Sequence, residues 1–84
     1  MQYPSFSSVN IFPNPVITEL NIQLDNLENQ CLHIFNSCGQ KIITKTLSTN
    51  NYMVDMTNWS KGLYVVDIID PKTGLGHSYK IIKK

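Results

Sequence analysis

Apolar and polar residues alternate along this chain in short runs, separated by clusters of turn-forming residues. Glu19–Leu24 puts Leu20, Ile22 and Leu24 on one side and Asn21 and Gln23 on the other. That period of two is the mark of a half-buried β-strand. Cys31–Asn36 repeats it with Leu32 and Ile34 inward and His33 outward, and Lys41–Leu47 follows with Ile42 or Ile43 inward. Tyr52–Met56 brings in Val54 and Met56, and the longest apolar run, Leu63–Asp70, brings in Tyr64, Val66 and Ile68. Val9–Phe12 before them and Gly76–Lys83 after them complete a set of seven short strands.

The connections carry their own chemistry. Pro13 and Pro15 cannot donate to a ladder, so the first strand ends there or lies at an edge. Asn14 between them is biased away from helix by the proline that follows, which predicts a stiff, extended corner. Asp25–Asn29, Ser48–Asn51 and Asp70–Gly74 are polar turns, and Thr57–Lys61 is a loop in which Trp59 tucks under a sheet. Asn36-Ser37-Cys38-Gly39 fits a type I turn followed by a left-handed residue at Gly39, the bulged hairpin arrangement. Strands spaced about 8–12 residues apart, with turns between them and no helical period, predict an all-β fold, an antiparallel Greek-key β-sandwich. The architecture expected is immunoglobulin-like, although the Cys…Trp…Cys spacing of true immunoglobulin domains is absent. Leu20, Ile22, Leu32, Ile34, Val54, Tyr64, Val66 and Ile68 form the predicted core between two sheets.

Size and charge narrow the functions this fold can serve. Eighty-four residues make one domain, which buries about 60–65% of its unfolded surface and leaves no room for a cleft between subdomains. Seven lysines, no arginine and six acids give a net charge of +1. Nucleic-acid binding, which phosphate neutralisation drives, does not fit that balance. No run approaches the roughly 18 apolar residues of a transmembrane segment. Residues 1–5 lack the basic and apolar regions of a signal peptide, so an export leader would lie further upstream. Cys31 and Cys38, at opposite ends of one strand, stand roughly 23 Å apart. A disulfide needs about 4.4–6.8 Å between Cα atoms, so both read as free thiols, Cys38 as a small apolar filler. His33 and His77, read as exposed strand residues, are not spaced to complete a metal site, and no metal or other cofactor is expected.

Catalytic patterns fail in turn. There is no Gly-x-Ser-x-Gly elbow, and Gly74-Leu75-Gly76 has no following helix to serve as a phosphate loop. Glu19, Asp25, Glu28, Asp55, Asp67 and Asp70 fall at turns and strand ends, with Asp67 and Asp70 on opposite faces of one strand. No enzyme activity is expected. Tyr52, Trp59, Tyr64 and Tyr79 admit two readings, a sugar-stacking platform of an accessory adhesive or carbohydrate-binding module, or core, the latter favoured for Trp59 and Tyr64. Lys80, Lys83 and Lys84 read by composition as a solubilising, solvated end that guards an edge strand.

Four signatures in order change the picture: Phe12-Pro13-Asn14-Pro15, Phe35–Lys41 around Gly39, Lys61-Gly62-Leu63-Tyr64, and Lys80-Ile81-Ile82-Lys83-Lys84. Over residues 9–84 the chain resembles the type A C-terminal sorting domains of type IX (Por) secretion system substrates. Each signature alone is common; their order and spacing are specific. Cys38, where Leu is usual, and Trp59, in place of a smaller apolar residue, are mild departures. The resemblance implies a non-catalytic secretion signal that takes an attached cargo across the outer membrane of a Gram-negative bacterium and is then cleaved by a sortase-like protease. It implies outer-membrane translocon and sortase components as partners, passage through the periplasm, and a final place at the cell surface or outside. Residues 1–8 would then be a linker to an upstream cargo domain, holding or following the cleavage point. Pro13, Asn14, Pro15, Gly39, Gly62, Tyr64, Lys80, Lys83 and Lys84 are the implied recognition residues, with the edge of the last strand as the element gripped by strand addition.

Overall fold

A computed structural model describes residues 9–24 and 30–84; the predicted linker at 1–8 and turn at 25–29 lie outside the described residues. The chain forms β1 (Val9–Phe12), β2 (Glu19–Leu24), β3 (Gln30–Asn36), β4 (Lys41–Leu47), β5 (Asn51–Asp55), β6 (Gly62–Ile69) and β7 (Gly76–Lys83), with no helix among the described residues. They make two antiparallel sheets, ordered β1-β2-β5 and β4-β3-β6-β7. The chain crosses between sheets after β2, β4 and β5, and β6 returns to lie beside β3. This is an immunoglobulin-like sandwich in which the fourth strand pairs with the third rather than joining the fifth.

All eight predicted core residues are buried, in one cluster that also takes in Leu24, Met56, Leu47, Ile81 and Val16. Alternation explains the inward face of each strand: Leu32 pairs with Ile68 and Ile34 with Val66 across β3 and β6. Ile43 faces inward opposite Ile34, and the β3–β4 register then shifts between Ile34 and Phe35, which skips Ile42 and leaves it exposed. Strand limits differ from expectation where a side chain claims the backbone. Asp70 leaves β6 because its amide donates to Leu75 O and its carboxylate accepts from Lys72 N. Met56 lies beyond β5 yet is fully buried, its amide donating to Thr18 O.

The registers sort the connections into two ends. Phe12–Glu19, the β3–β4 turn, the loop from Met56 to Gly62 and the end of β7 share one end, here the near end. Val9, the β4–β5 turn and the β6–β7 turn share the other, the far end.

Candidate functional site

The near end gathers all four sequence signatures, and each is held there by a specific device. In the first, Asn14 lies against β7: its Nδ2 donates to Lys80 O at 3.0 Å and its Oδ1 accepts from Ile82 N at 3.0 Å. Val16 continues the contact as a parallel bridge to Lys83, with Val16 N donating to Ile82 O and Lys84 N donating to Val16 O, both at 2.8 Å. Pro13 and Pro15 follow cis peptide bonds and flank this clasp. The segment therefore pairs with the last strand, whereas sequence reading gave it only a corner. Val16, fully buried, was missed because no periodicity surrounds it.

The β3–β4 turn is organised by Asn36. Its carboxamide oxygen accepts from Cys38 N and Gln40 N at 3.0 and 2.9 Å, and its amide nitrogen donates to Gln40 Oε1. Gly39 has φ +84°, as the bulged hairpin requires. Cys38 is exposed there and fills no core space, which corrects the expectation of a small apolar filler: the turn lifts it off the sandwich. Cys31 is half-buried, and both thiols are free.

Gly62 has φ +142°, a backbone that side chains rarely adopt, and it starts β6 opposite Lys83. Tyr64 is buried to 6% exposure, and its hydroxyl donates to Ser60 O at 2.7 Å, four residues upstream. That is the tyrosine-corner arrangement of immunoglobulin-like sandwiches, a Tyr at the start of this strand bonding back to the preceding loop. Trp59, half-buried, packs its ring 5.2 Å from that of Tyr64 at 52°. The Gly-Leu-Tyr signature thus ties the near-end loop to the core.

The last signature divides by alternation. Ile81 and Lys83 face inward; Lys80, Ile82 and Lys84 face outward. Lys83 is only 6% exposed, which overturns the expectation that it is solvated. It stands opposite Gly62 and beside Val16. Its Nζ donates to Lys84 O at 2.8 Å while its methylene stem is buried. The edge of β7 from Lys80 to Lys84 is occupied by the Asn14–Val16 clasp, so strand addition there would have to displace the chain's own segment.

Other candidates resolve as structure. Tyr52 pairs with Ile22 and Tyr79 with Val66, so both face inward and pack half-buried against the core. Burial pushes the Tyr79 phenol up from its ordinary range. With Tyr64 buried as well, the four aromatics make no flat platform for a sugar. Asp67, mid-strand rather than at an end, accepts from Ser78 Oγ at 2.6 Å. His33 is half-buried, its Nδ1 3.4 Å from Thr44 Oγ1, and His77 is exposed. At the near end, hydrogen bonds from the Thr57 hydroxyl (2.6 Å) and then its amide (3.0 Å) hold the Asp55 carboxyl below its ordinary range. No group of three or more metal-ligating side chains occurs among the described residues.

Comparison with known proteins gives this end a context. The family described as a secretion system C-terminal sorting domain matches residues 10–84. A curated relative, the ulvan lyase NLR42 of Nonlabens ulvanivorans, is 29% identical over 63 residues, 74% of this chain. The chain spans only 12% of that relative's length.

Proposed function

Because this chain belongs to the family of secretion system C-terminal sorting domains, we propose that the near end of its sandwich is what the export machinery recognises. The domain itself is a non-catalytic C-terminal secretion signal of the type IX system, which marks an attached protein for passage across the outer membrane to the cell surface or beyond. Outer-membrane translocon and sortase components are the proposed contacts, with residues 1–8 as the linker to an upstream cargo and the place in or before which cleavage occurs.

One observation carries the assignment to the near end. Pro13–Pro15 and Lys80–Lys84, 66 residues apart, are joined by the Asn14 clasp, so the two outer signatures make a single folded element. Gly39, Gly62 and Tyr64 shape the backbone around it, and of the three candidate lysines Lys80 and Lys84 present their side chains to a partner. Lys83 acts through packing.

The test is to fuse residues 1–84 to the C-terminus of a periplasmic reporter in a strain with the secretion system. Reporter cleaved by added protease on intact cells is the expected result. Reporter retained in the periplasm as folded protein would sink the reading.

A further inference from the structure

The clasp leaves one part of the near end open: the outer face of the four-stranded sheet. Lys80 pairs with Val65, and Ile82 with Leu63, so these side chains stand in two adjacent rows on that face. Leu63 is 36% exposed, Ile82 41% and Ile42 44%. Ile42 and Leu63 both line an open depression of about 390 Å³, with Trp59 and Lys61 also in its wall. Around this apolar strip are exposed lysines: Lys80 and Lys84 on the β7 side, Lys61 at the loop, and Lys41 opposite Phe35. Of the described acids, Glu19 and Asp55 face each other on the three-stranded sheet and Asp70 is in the far-end turn; Asp67 shares this face, in the row beyond Lys80, half-buried and accepting from Ser78 Oγ.

We propose that the face centred on Leu63 and Ile82 and bordered by Lys61, Lys80 and Lys84 docks a protein surface bearing carboxylates around an apolar side chain. The proposal rests on the sorting function above and names the chemistry of the partner. Charge complementarity decides the occupant, since unlike charges steer encounter and like charges repel. A second copy of this chain is thereby disfavoured, because a two-fold contact would set lysines against lysines. A lipid surface fits poorly, because the apolar residues lie within a sheet face while the most exposed apolar residues, Ile17 and Leu75, are elsewhere. Hydrogen bonding cannot come from the β7 edge beside Lys80–Lys84, which the clasp fills, so recognition there falls to side chains. The depression seats the apolar group and the lysines meet the carboxylates.

The experiment compares reporter fusions in the secreting strain. Lys80→Glu/Lys84→Glu should lower surface display at least tenfold, while Lys80→Arg/Lys84→Arg displays at the wild-type level. Thr46→Glu/Met53→Glu, one carboxylate at the far end of the four-stranded sheet and one on the three-stranded sheet, should also display normally. Thermal midpoints of the purified 84-residue variants establish that each is folded, and Ile82→Ser gives an uncharged variant with the same expected loss. Normal display of Lys80→Glu/Lys84→Glu, or an equal loss in Thr46→Glu/Met53→Glu, overturns the proposal. So does flotation of the wild-type chain, but not of Lys80→Glu/Lys84→Glu, with phosphatidylglycerol vesicles, which would give the face to a membrane. Failure of the wild-type fusion to reach the surface would defeat the sorting function itself. Display of wild type and Lys80→Glu/Lys84→Glu alike would defeat only the docking face.

Discussion

The two ends of the sandwich are closed by different means. At the far end the side-chain bonds of the turns are local: Thr49 Oγ1 to Asn51 O, Lys72 N to Asp70 Oδ1, Leu75 N to Thr73 Oγ1, each spanning two residues, with a backbone bond from Leu24 N to Asn50 O beside them. At the near end the contacts of Asn14 span 66 and 68 residues, and Tyr64 ties β6 to the loop before it. Local bonds form whenever the turn forms, and they survive loss of any distant partner. Long-range bonds exist only in the folded sandwich, so each stabilises the whole and can be lost with it. The near end is therefore where a single substitution reaches furthest, and it is also where the sorting signatures collect.

The comparison is sharpest at Tyr64. Tyr64→Ala should cost about 3–5 kcal/mol, the range for removing a buried aromatic, and Tyr64→Phe about 1–2 kcal/mol by orphaning the Ser60 carbonyl. Urea denaturation of both variants measures this; a cost for Tyr64→Ala below that of a far-end turn substitution would erase the contrast. Lys83→Ala comes next, at about 2 kcal/mol for three buried methylenes. Lys83→Met, which keeps the stem, should stay within about 1 kcal/mol, and equal losses in the two would show that the ammonium group rather than the stem matters. Asn14→Ala removes two hydrogen bonds in an exposed setting and should cost about 1–2 kcal/mol. Thr49→Ala at the far end, and Lys84→Ala beside the clasp, should each fall within about 0.5 kcal/mol.

The smallest effect is a titration. The folded Asp55 carboxyl is held below its unfolded value by Thr57. Its contribution is therefore present above the unfolded pKa and is lost as pH falls through the folded one. In Thr57→Val the hydroxyl bond, the larger cause, is gone, so the Asp55 carbon resonances should titrate nearer the ordinary carboxylate range. An unmoved midpoint would mean that the amide bond alone sets it.

The strands and most of the core were legible because a period of two needs only local sequence: Leu20, Ile22, Leu32 and Ile34 announce their face by alternation. Gly39 was legible for a similar reason, since turn chemistry acts within four residues. Lys83 was not. Alternation places it on the inner face with Ile81, but a lysine at a strand end reads as solvated, and only the folded chain, which brings Val16 alongside, buries it.

Local patterning specifies the seven strands, the inward residues of β2, β3, β5 and β6, the hairpin turn at Gly39 and, through four ordered signatures, the resemblance to the family. Tertiary structure decided that those signatures meet at one end. It made Asn14 a clasp on the last strand, and it divided the basic tail into Lys83 inside and Lys80 and Lys84 outside. The reason is range. Alternation and turn preference are set by neighbours in the chain, whereas a hydrogen bond across 66 residues, or a side chain's exposure, depends on which other segment arrives beside it.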